Sequence, residues 1–600
     1  MATQPTNLPV PSESPRDLKF NAGKIDEFVT SMQREYEDRF GNKHYTIEGL
    51  RWIAQQAISA FGYVTLDSFE DGNTLTLPNH VLRLEATGEY YRWDGVLPKD
   101  VPAGSTPEST GGIGVGAWLS VGDASLRSDL NRETGASIVG TSSGNTVQEE
   151  LDKVKLKFAS FAAMRASTSS EIGDYALLTG WHADYQGYGS GIFQCVDKTD
   201  LTDDGGTIAV SSSYAWIRIT GHENVTDFGV VPDAGESFDN KKYISAAHDY
   251  SSGILIPAGV YHTSYLEFKK KLILTTRGYV EINQIGDDSD LITLQSPDGT
   301  ISTASQTDGS RIENLVLVPS TGKYGIHTFF NGRGIVSGVE IRGGKGFWFD
   351  GVSQYVVTNC ASRDSDATGY LITMKKTANN DSIGTWLHLE KSFVANSKES
   401  GIKSIHYPSL WIDNPVITNC STGIECSADS DAHPTVAYTS VKITNGDVDA
   451  STNQGIIMIG VIWPQLVGCW VSGGRETASP GVLMRGCRNL VVDGGQFVNN
   501  GGHGISLEGC HYGTVSGVMA QNNGQYGINC EYSDQQSELI TFSNNNCSTT
   551  PDNFIPGAQV RGLNIQGYKI AAIGNICQGN TESNYINGAA EKAEVGNITQ

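Results

Sequence analysis

The chain has 600 residues, of which 70 are glycine, with 38% hydrophobic and 18% charged residues. Abundant Gly, Ser, Thr, Asn and Val favour an all-β protein with many short strands and turns. The formal net charge of −24 disfavours nucleic acid and anionic membranes as partners, because phosphate backbones and lipid headgroups would be repelled. The N-terminus lacks the basic and apolar regions of a secretory signal, and no apolar run of about 18 residues predicts a membrane span.

Two amphipathic helices are predicted near the N-terminus. The first carries Ile25, Phe28, Val29, Met32 and Tyr36. The second starts at a plausible N-cap, Thr46, and has apolar residues at helical spacing, namely Ile47, Leu50, Ile53, Ala57 and Phe61. Strand-like segments and a Gly-rich stretch follow up to about residue 125.

A short helix is predicted after residue 145. Thr146 and Glu149 form a capping box, and Val147, Leu151 and Val154 make an apolar stripe. The stripe is either a short oligomeric neck or an ordinary helix face, and the sequence leaves both open. Residues 160–220 have the pattern of a small β module.

The second half of the chain is repetitive. "NNGGHGISL" at residues 499–507 recurs as "NNGQYGINC" at 522–530, and a glycine followed by an apolar residue returns at intervals of 21 to 32 residues between Gly325 and Gly527. Short strands with this period predict a solenoid, and the lack of helical segments favours a β-helix. Stacking at about 4.8 Å pairs the strand edges of successive coils and repeats Asn at their turns. His503 is accordingly interpreted as a turn residue.

Ten cysteines show neither a CxxC pair nor metal-ligand spacing. Nine of them lie between Cys360 and Cys577, mostly near apolar strand positions. We therefore predict buried free thiols in a chain made in a reducing cytosol. Neither a metal nor another cofactor is predicted, since no acidic cluster has the spacing of a Ca²⁺ loop.

Residues 225–264 resemble the start of pectate-lyase-like right-handed β-helices. The matching parts are a "VTDFG" strand from Val225, a short helix around Tyr243 to His248, and "ILIPAGVY" from Ile254. The loop between them has Pro232-Asp-Ala-Gly in place of the usual Gly-Asp-Gly form. The resemblance implies an all-β, right-handed parallel β-helix.

The flanking segments resemble bacteriophage tailspikes. "NLPVPSESPRDLKF", "TGEYYRWDG" and "GVGAWLSVGD" are similar to their virion-anchoring region, and "FASFAAMRA" to "GSGIFQ" is similar to their connector. The implied domains are a virion anchor at 1–125, a neck helix with a β connector at 126–222, and the β-helix at 223–600.

The resemblance also implies a function and partners. The chain would form a homotrimer in the virion after synthesis in the host cytoplasm. It would bind a bacterial surface polysaccharide, either capsule or O-antigen, and usually cleave it. Its N-terminal region would attach to the phage tail, the baseplate or another tailspike.

Glycoside hydrolysis needs two carboxyl groups, about 5–5.5 Å apart for retention or 6.5–9.5 Å apart for inversion. Aligning the coils on their Gly-apolar pairs places Asp366 and Glu399 at stacked turns, and Asp364 in the position that Asn396 holds in the next coil. These three are the catalytic candidates. The competing interpretation is that they are solvated turn acids balanced by Arg363 and Lys398.

Two coils of this region carry insertions, which leave the stack and form groove walls where function concentrates. They and the segment between them supply the substrate-binding candidates, which are Trp386, His388, Tyr407, Trp411 and Asp413, together with Arg363. Exposed aromatic rings offer flat faces to sugar C–H groups.

Three functions remain open from the sequence. An endo-acting hydrolase is preferred. A polysaccharide lyase would use a base such as His388, Lys403 or Tyr407 on a uronate. A binding spike would keep the aromatic residues without needing paired acids. The sugar, the stereochemistry and an intra- or inter-subunit site stay undetermined.

Overall fold

The structure is a computed structural model that describes residues 4–53, 62–121, 130, 134–142, 144–152, 154–220, 224–295, 307–374, 386–428, 439–474, 477–531, 536–549 and 559–599. The chain forms two compact units, Met1–Lys153 and Val154–Gln600. Their boundary lies inside the segment 126–222, for which a neck helix and a small β connector are predicted. None of the described helices is long and apolar enough to cross a membrane.

The first unit begins with the helix Pro15–Thr30 and a hairpin of Glu35–Glu37 with Lys43–Tyr45. The predicted first helix is confirmed, although Met32 and Tyr36 lie beyond its end. The Thr46 hydroxyl accepts a hydrogen bond from the Gly49 N–H at 3.0 Å, which confirms the predicted N-cap. The described part of that helix spans residues 47–53, so Ala57 and Phe61 lie outside the described residues.

A small β fold and a short helix complete the first unit. Its four-stranded sheet contains Val64–Ser68, His80–Leu84, Glu89–Trp93 and Trp118–Ser120, and a two-stranded sheet pairs Asn73–Leu75 with Lys99–Val101. The short helix is Val147–Asp152, preceded by the 3-10 turn Gly135–Ser137. Thr146 and Glu149 cap it reciprocally at 2.7 and 3.1 Å, which confirms the capping box. Val154 belongs to the following strand, so the predicted stripe does not continue along the helix.

The second unit opens with the predicted β module. Its sheet contains Val154–Phe158, Tyr175–Leu178, Gly191–Val196, Ile208–Val210 and Ala215–Arg218, with the helix Phe161–Arg165 beside it. Trp216 lies fully buried in its core. The module contacts the β-helix, because the Trp181 and Tyr243 rings lie 5.0 Å apart and His182 Nε2 lies 2.9 Å from the Gly229 carbonyl oxygen.

The β-helix starts with the predicted helix and the predicted strand after it, but the predicted "VTDFG" strand is wrong, because Val225–Phe228 forms a 3-10 turn that ends at Gly229 with φ of 99°. A 3-10 turn, Val225–Phe228, precedes the helix Lys241–Tyr250 and the strand Gly253–Thr263. The helix buries Ile244 and Ala247 against the first coil, so the open end of the stack is covered.

The coils form three flat faces, here called A, B and C, on which all strands pair in parallel. Faces A and B belong to the same 22-stranded sheet. Its first two strands, Gly253–Thr263 and Ile273–Gln284, are long and bent, and each contributes to both faces. Face A continues with Arg311–Glu313, Ile335–Ser337, Tyr355–Thr358, Leu387–Glu390, Ser409–Asp413, Ser440–Thr444, Trp463–Val467, Arg488–Asp493, His511–Ser516, Glu538–Ser543, Ile570–Ile573 and Lys592–Val595. Face B continues with Val316–Val318, Glu340–Arg342, Ala361–Arg363, Phe393–Ala395, Val416–Thr418, Asp447–Ser451, Trp470–Gly473 and Gln496–Asn500.

Face C is the 13-stranded sheet. It contains Leu266–Phe268, Ile292–Gln295, Tyr324–Phe329, Lys345–Asp350, Tyr370–Thr373, Ser400–Ile405, Thr422–Ser427, Ile456–Ile459, Val482–Arg485, Ile505–Glu508, Tyr526–Glu531, Arg561–Ile565 and Ser583–Asn587. The predicted fold class, a right-handed parallel β-helix, is confirmed.

Inward-facing side chains of all three faces form one continuous apolar core. All ten cysteines are free and buried, as the sequence predicts. His503 precedes the strand Ile505–Glu508, where its Nδ1 accepts the Tyr526 N–H at 3.2 Å. Burial lowers the pKa of His503 to about 4, so the ring acts as a neutral acceptor at the turn.

Asparagine occupies the turns for two separate reasons. Outer turn residues such as Asn396 and Asn419 have φ of 59° and 53°, a left-handed conformation that Asn tolerates. Other asparagines point inward and stack. Asn545 Nδ2 donates to the Val515 carbonyl and to Asn575 Oδ1, both at 2.9 Å, and Asn575 repeats the pattern with Asn597. Asparagines of successive coils are thus hydrogen-bonded to each other.

The internal ladder predicts a large effect of Asn545→Asp. The carboxylate loses both donors and faces two oxygen atoms in a fully buried position, so the free energy of unfolding should fall by about 3 kcal/mol or more. The measurement is denaturant-induced unfolding. Asn546→Asp is the control, because Asn546 accepts hydrogen bonds at Oδ1 from the Gln521 side chain and the Ser548 N–H, and a carboxylate can accept the same two bonds. Equal losses in the two variants would contradict the ladder's role.

Candidate active site

The outer side of face A gathers the strongest group of polar residues. In the strands Leu387–Glu390 and Ser409–Asp413 the leucine and isoleucine side chains are buried, so alternate residues point outward. Cα partners on successive coils form rows along the helix axis. One row contains His388, Trp411 and Lys442. The neighbouring row contains Thr358, Glu390, Asp413 and Thr444.

His388 and Asp413 are held together. His388 Nε2 lies 2.6 Å from Asp413 Oδ2, and the Thr444 hydroxyl donates to Asp413 Oδ1. The two side chains of the pair are 21% and 26% exposed, so both are reachable from solvent yet partly desolvated. Hydrogen bonds on both oxygens fix the orientation of the Asp413 carboxylate.

Glu390 supplies the second carboxyl group. It is the Cα partner of Asp413 on the preceding coil, so the two backbones are about 4.8 Å apart. The Thr358 hydroxyl donates to Glu390 Oε2 at 3.2 Å, and Lys391 Nζ lies 3.7 Å from Oε1. Adjacent rungs with diverging side chains provide the carboxyl separations that glycoside hydrolysis uses.

Two tryptophans flank this carboxyl pair. The Trp386 and Trp411 rings lie 5.9 Å apart at 87°, and the Trp411 ring lies 6.1 Å from His388. Trp411 is 39% exposed, and Lys442 Nζ lies 5.6 Å from its ring centre. The rings therefore offer an apolar wall beside the charged groups.

The two predicted insertions lead into this part of face A. Residues 375–385 precede Trp386 and the strand Leu387–Glu390, and residues 429–438 precede the strand Ser440–Thr444. Their own acids and histidine lie outside the described residues; these are Asp381, Asp429, Asp431 and His433.

The three predicted catalytic acids lie elsewhere, at the corner between faces B and C. Asp364 has φ 54° and accepts the Asn396 side-chain amide at 2.7 Å, so it continues the outer turn ladder. Glu399 Oε2 accepts the Thr368 hydroxyl at 3.1 Å. Neither carboxyl group is on face A with the other candidates.

Asp366 is bound to a lysine. Lys398 Nζ lies 2.8 Å from Asp366 Oδ1, and this hydrogen bond, with the charges of Lys398 and Lys345, lowers the pKa of Asp366. A general acid needs the opposite shift, because it must carry a proton at working pH. The catalytic assignment of Asp364, Asp366 and Glu399 stays a prediction, and the pairing of Asp366 favours the alternative of a balanced turn acid.

Two substrate-binding candidates do not join the site. Tyr407 is 1% exposed and its hydroxyl donates to the Val352 carbonyl at 2.6 Å, so its predicted contact with sugar is wrong. Arg363 belongs to face B, where Nε donates to Glu340 at 3.0 Å and the guanidinium covers the Phe393 ring at 4.3 Å. It is thus separated from the residues of face A.

Three members of the site were missed as candidates, namely Glu390, Lys442 and Thr444. A signal for Glu390 was present in the sequence, since "LHLE" at 387–390 and "LWID" at 410–413 have the same apolar alternation. Aligning these strands places Glu beside Asp and His beside Trp. Lys403, a candidate base for a lyase, is on face C, 3.0 Å from Glu425.

Two segments of the chain match known phage tail families. Residues 56–123 match the tail spike TSP1/Gp66 receptor binding N-terminal domain. Residues 157–221 match the phage tail protein small four-stranded beta-sheet domain. The predicted resemblance to bacteriophage tailspikes is confirmed. Phage tail proteins are virion components, in agreement with the predicted location.

A curated relative is the capsule KL64-specific depolymerase of Klebsiella phage P510, 34% identical over 174 residues. The match covers 28% of this chain and 15% of the relative's length. Among solved structures, tailspike protein 3 of bacteriophage CBA120 is 20% identical over 90% of this chain and 79% of its own, with a TM-score of 0.44. The tailspike gp49 of Acinetobacter baumannii bacteriophage Fri1, a capsular polysaccharide depolymerase, is 10% identical over 67% and 75%, with a TM-score of 0.37.

The corrected position of Tyr407 can be tested with Tyr407→Phe. Loss of the hydrogen bond to Val352 in the core should lower the free energy of unfolding by about 1 kcal/mol, and polysaccharide binding should not change. The measurements are denaturant unfolding and a binding isotherm. Trp411→Phe is the matched aromatic change at an exposed position, where stability should hold. A binding loss confined to Tyr407→Phe would contradict the buried assignment.

Proposed function

We propose that the chain is a phage tailspike that binds a bacterial surface polysaccharide, capsule or O-antigen, and cleaves it internally by glycoside hydrolysis. The observation that carries the proposal is the pair Glu390 and Asp413 on adjacent rungs of face A, beside His388 and two tryptophans. Two carboxyl groups are what this reaction requires, the rigid sheet fixes their positions, and the tryptophans offer apolar faces to the sugar rings.

The roles follow from the surroundings of each carboxyl group. Asp413 accepts hydrogen bonds from His388 and Thr444, which hold its carboxylate in a fixed orientation, and it is assigned as the base or nucleophile. Glu390 is contacted by the Thr358 hydroxyl at Oε2 and by Lys391 Nζ, 3.7 Å from Oε1. It is assigned as the acid that protonates the leaving oxygen because it is the partner of Asp413 on the adjacent rung. His388 orients Asp413. The distance between the two carboxyl groups in the substrate complex decides between retention and inversion.

A second candidate function is polysaccharide lysis. His388, held by Asp413, would remove the proton beside a uronate carboxylate. Lys442, in the same row as His388 and Trp411, would supply the positive charge that neutralises this carboxylate. A spike that binds glycan without cutting it would use the tryptophans alone. The products of the reaction separate these functions.

The proposal includes assembly. The chain would form a homotrimer, with the virion anchor at 1–125, the neck and connector at 126–222 and the depolymerase domain at 223–600. A stripe on the helix Pro15–Thr30 and just after it supports self-association. On the helix its residues follow the 4-3-4 spacing of a coiled coil and are all exposed; they are Leu18, Ala22, Ile25 and Val29. Met32, also exposed, lies two residues beyond the end of the helix. The N-terminal region would attach to the tail, the baseplate or another tailspike.

Amide substitutions at the carboxyl pair test the chemistry. Glu390→Gln should lower kcat by about 100-fold or more, because the acid can no longer give up a proton, and Asp413→Asn should do the same through the base. Binding of the polysaccharide should persist in both. The measurements are new reducing ends and the ultraviolet absorbance of an unsaturated uronate, taken on a panel of capsules and O-antigens.

Asp366→Asn and Glu399→Gln are the matched controls, since they remove carboxylates at the corner of faces B and C. Full activity is expected from both. If cleavage is lost in these controls and kept in Glu390→Gln and Asp413→Asn, the catalytic residues are at the corner of faces B and C. Absorbance that rises with the reducing ends would replace hydrolysis by elimination.

A further inference from the structure

A basic concavity lies on face A near the start of the β-helix. It has a volume of about 390 Å³ and is lined by Lys271, Ile273, Asp308, Gly309, Arg311 and Arg333. Three cations meet one carboxylate here, in a chain whose formal net charge is −24. Such a local excess of positive charge focuses a field that attracts anions.

The packing of the coils creates this concavity. Ile273, Arg311 and Ile335 are Cα partners on three successive coils, and Lys271, Gly309 and Arg333 each lie two residues before them. Gly309 thus separates the two outer cations without a side chain of its own. Gly309 has φ of 73°, a left-handed conformation that favours glycine, and a Cβ added there would make an ordinary van der Waals contact with Lys271 Nζ at 3.5 Å.

Two of the three cations are available to a ligand. Arg333 Nε donates to Asp308 Oδ2 at 2.8 Å, so this pair forms a neutral edge. Within the described part of the chain, neither Lys271 nor Arg311 has an ion-pair partner, and both are exposed. The nearest acid on the strand of Arg311 is Glu313, two residues further on.

The concavity and the carboxyl pair share one surface. The row of Arg311 continues through Ile335 and Val356 to His388, which is three rungs or about 14 Å away. The residues between them are half-buried and uncharged; they are Ile335, Ser337, Val356 and Thr358. A glycan extended along the helix axis can therefore occupy both places at once.

We infer that the concavity binds a carboxylate or phosphate group of the polysaccharide that is cut at Glu390 and Asp413, so the substrate is an acidic polysaccharide. This inference rests on the proposed function for the position of cleavage. Binding of the anion itself does not depend on the chemistry. Arg311 provides a forked donor for an oxyanion, and Lys271 adds a second charge.

The test compares two double variants of the full-length protein. Lys271→Gln with Arg311→Gln removes the two available cations. Lys269→Gln with Lys270→Gln removes the same charge from neighbouring lysines that already pair with Glu267 at 3.2 Å and Asp249 at 3.7 Å. Neither pair belongs to the proposed catalytic machinery.

Binding is measured by interferometry on uronate-bearing, phosphate-bearing and neutral bacterial polysaccharides, with Asp413→Asn as the uncleaving background. The concavity variant should weaken binding to a charged polysaccharide at least about tenfold, and the control variant should change it less than about twofold. Carboxyl reduction or dephosphorylation of the bound polysaccharide identifies the anionic group. Only the treatment that removes this group should abolish the difference in affinity between the concavity variant and the control variant.

Three results overturn the inference: equal effects of the two double variants, binding confined to neutral polysaccharides, and no binding to any charged polysaccharide. Reducing-end release by the wild-type protein is followed in parallel. Concavity-dependent binding without cleavage would keep the anion site and remove the proposed hydrolysis. Cleavage that is unchanged in the concavity variant would keep the proposed hydrolysis and remove the anion site.

Discussion

Parallel stacking of coils in fixed register is the constraint on which the rest of this structure depends. Each backbone group of a coil bonds to the coils above and below, so an insertion cannot remain within a face and must leave at a corner. Buried asparagines reinforce the register, because Asn545 donates to Asn575 on the next coil and Asn575 donates to Asn597 on the coil after it. Side chains that are far apart in sequence are thereby aligned in straight rows.

The proposed site is a direct product of these rows. Glu390 and Asp413 are 23 residues apart in sequence and adjacent on face A, and His388 and Trp411 form the row beside them. Their positions are set by a buried sheet and not by a loop, which is the condition for accurate placement of catalytic groups. The same geometry extends the surface to Arg311, so one face can hold several units of a linear polymer.

The sequence predicted the architecture well, because repeats carry their own signal. The Gly-apolar pairs, the turn asparagines, the apolar strand positions with their cysteines and the "VTDFG" start all reflect local requirements that recur in every coil. The capping residues Thr46 and Thr146 were equally readable, since a cap involves neighbours within three residues.

The site was harder to predict because it depends on register across insertions. Aligning the coils on the glycines that open face C selected acids at the nearby turns, Asp364, Asp366 and Glu399. Face A follows insertions of unequal length, so its rows cannot be counted from those glycines. Tyr407 was misplaced for a related reason, since a segment interpreted as a groove wall returns to the core and bonds to Val352.

The most direct test of the account is a crystal structure of Glu390→Gln with an oligosaccharide of a polysaccharide that the protein binds. The account predicts density along the outer side of face A, with a glycosidic oxygen beside residue 390, the opposite side of that sugar toward Asp413, and a ring against Trp386 or Trp411. Density at the corner that contains Asp366 and Glu399, or on face B or C, would contradict it.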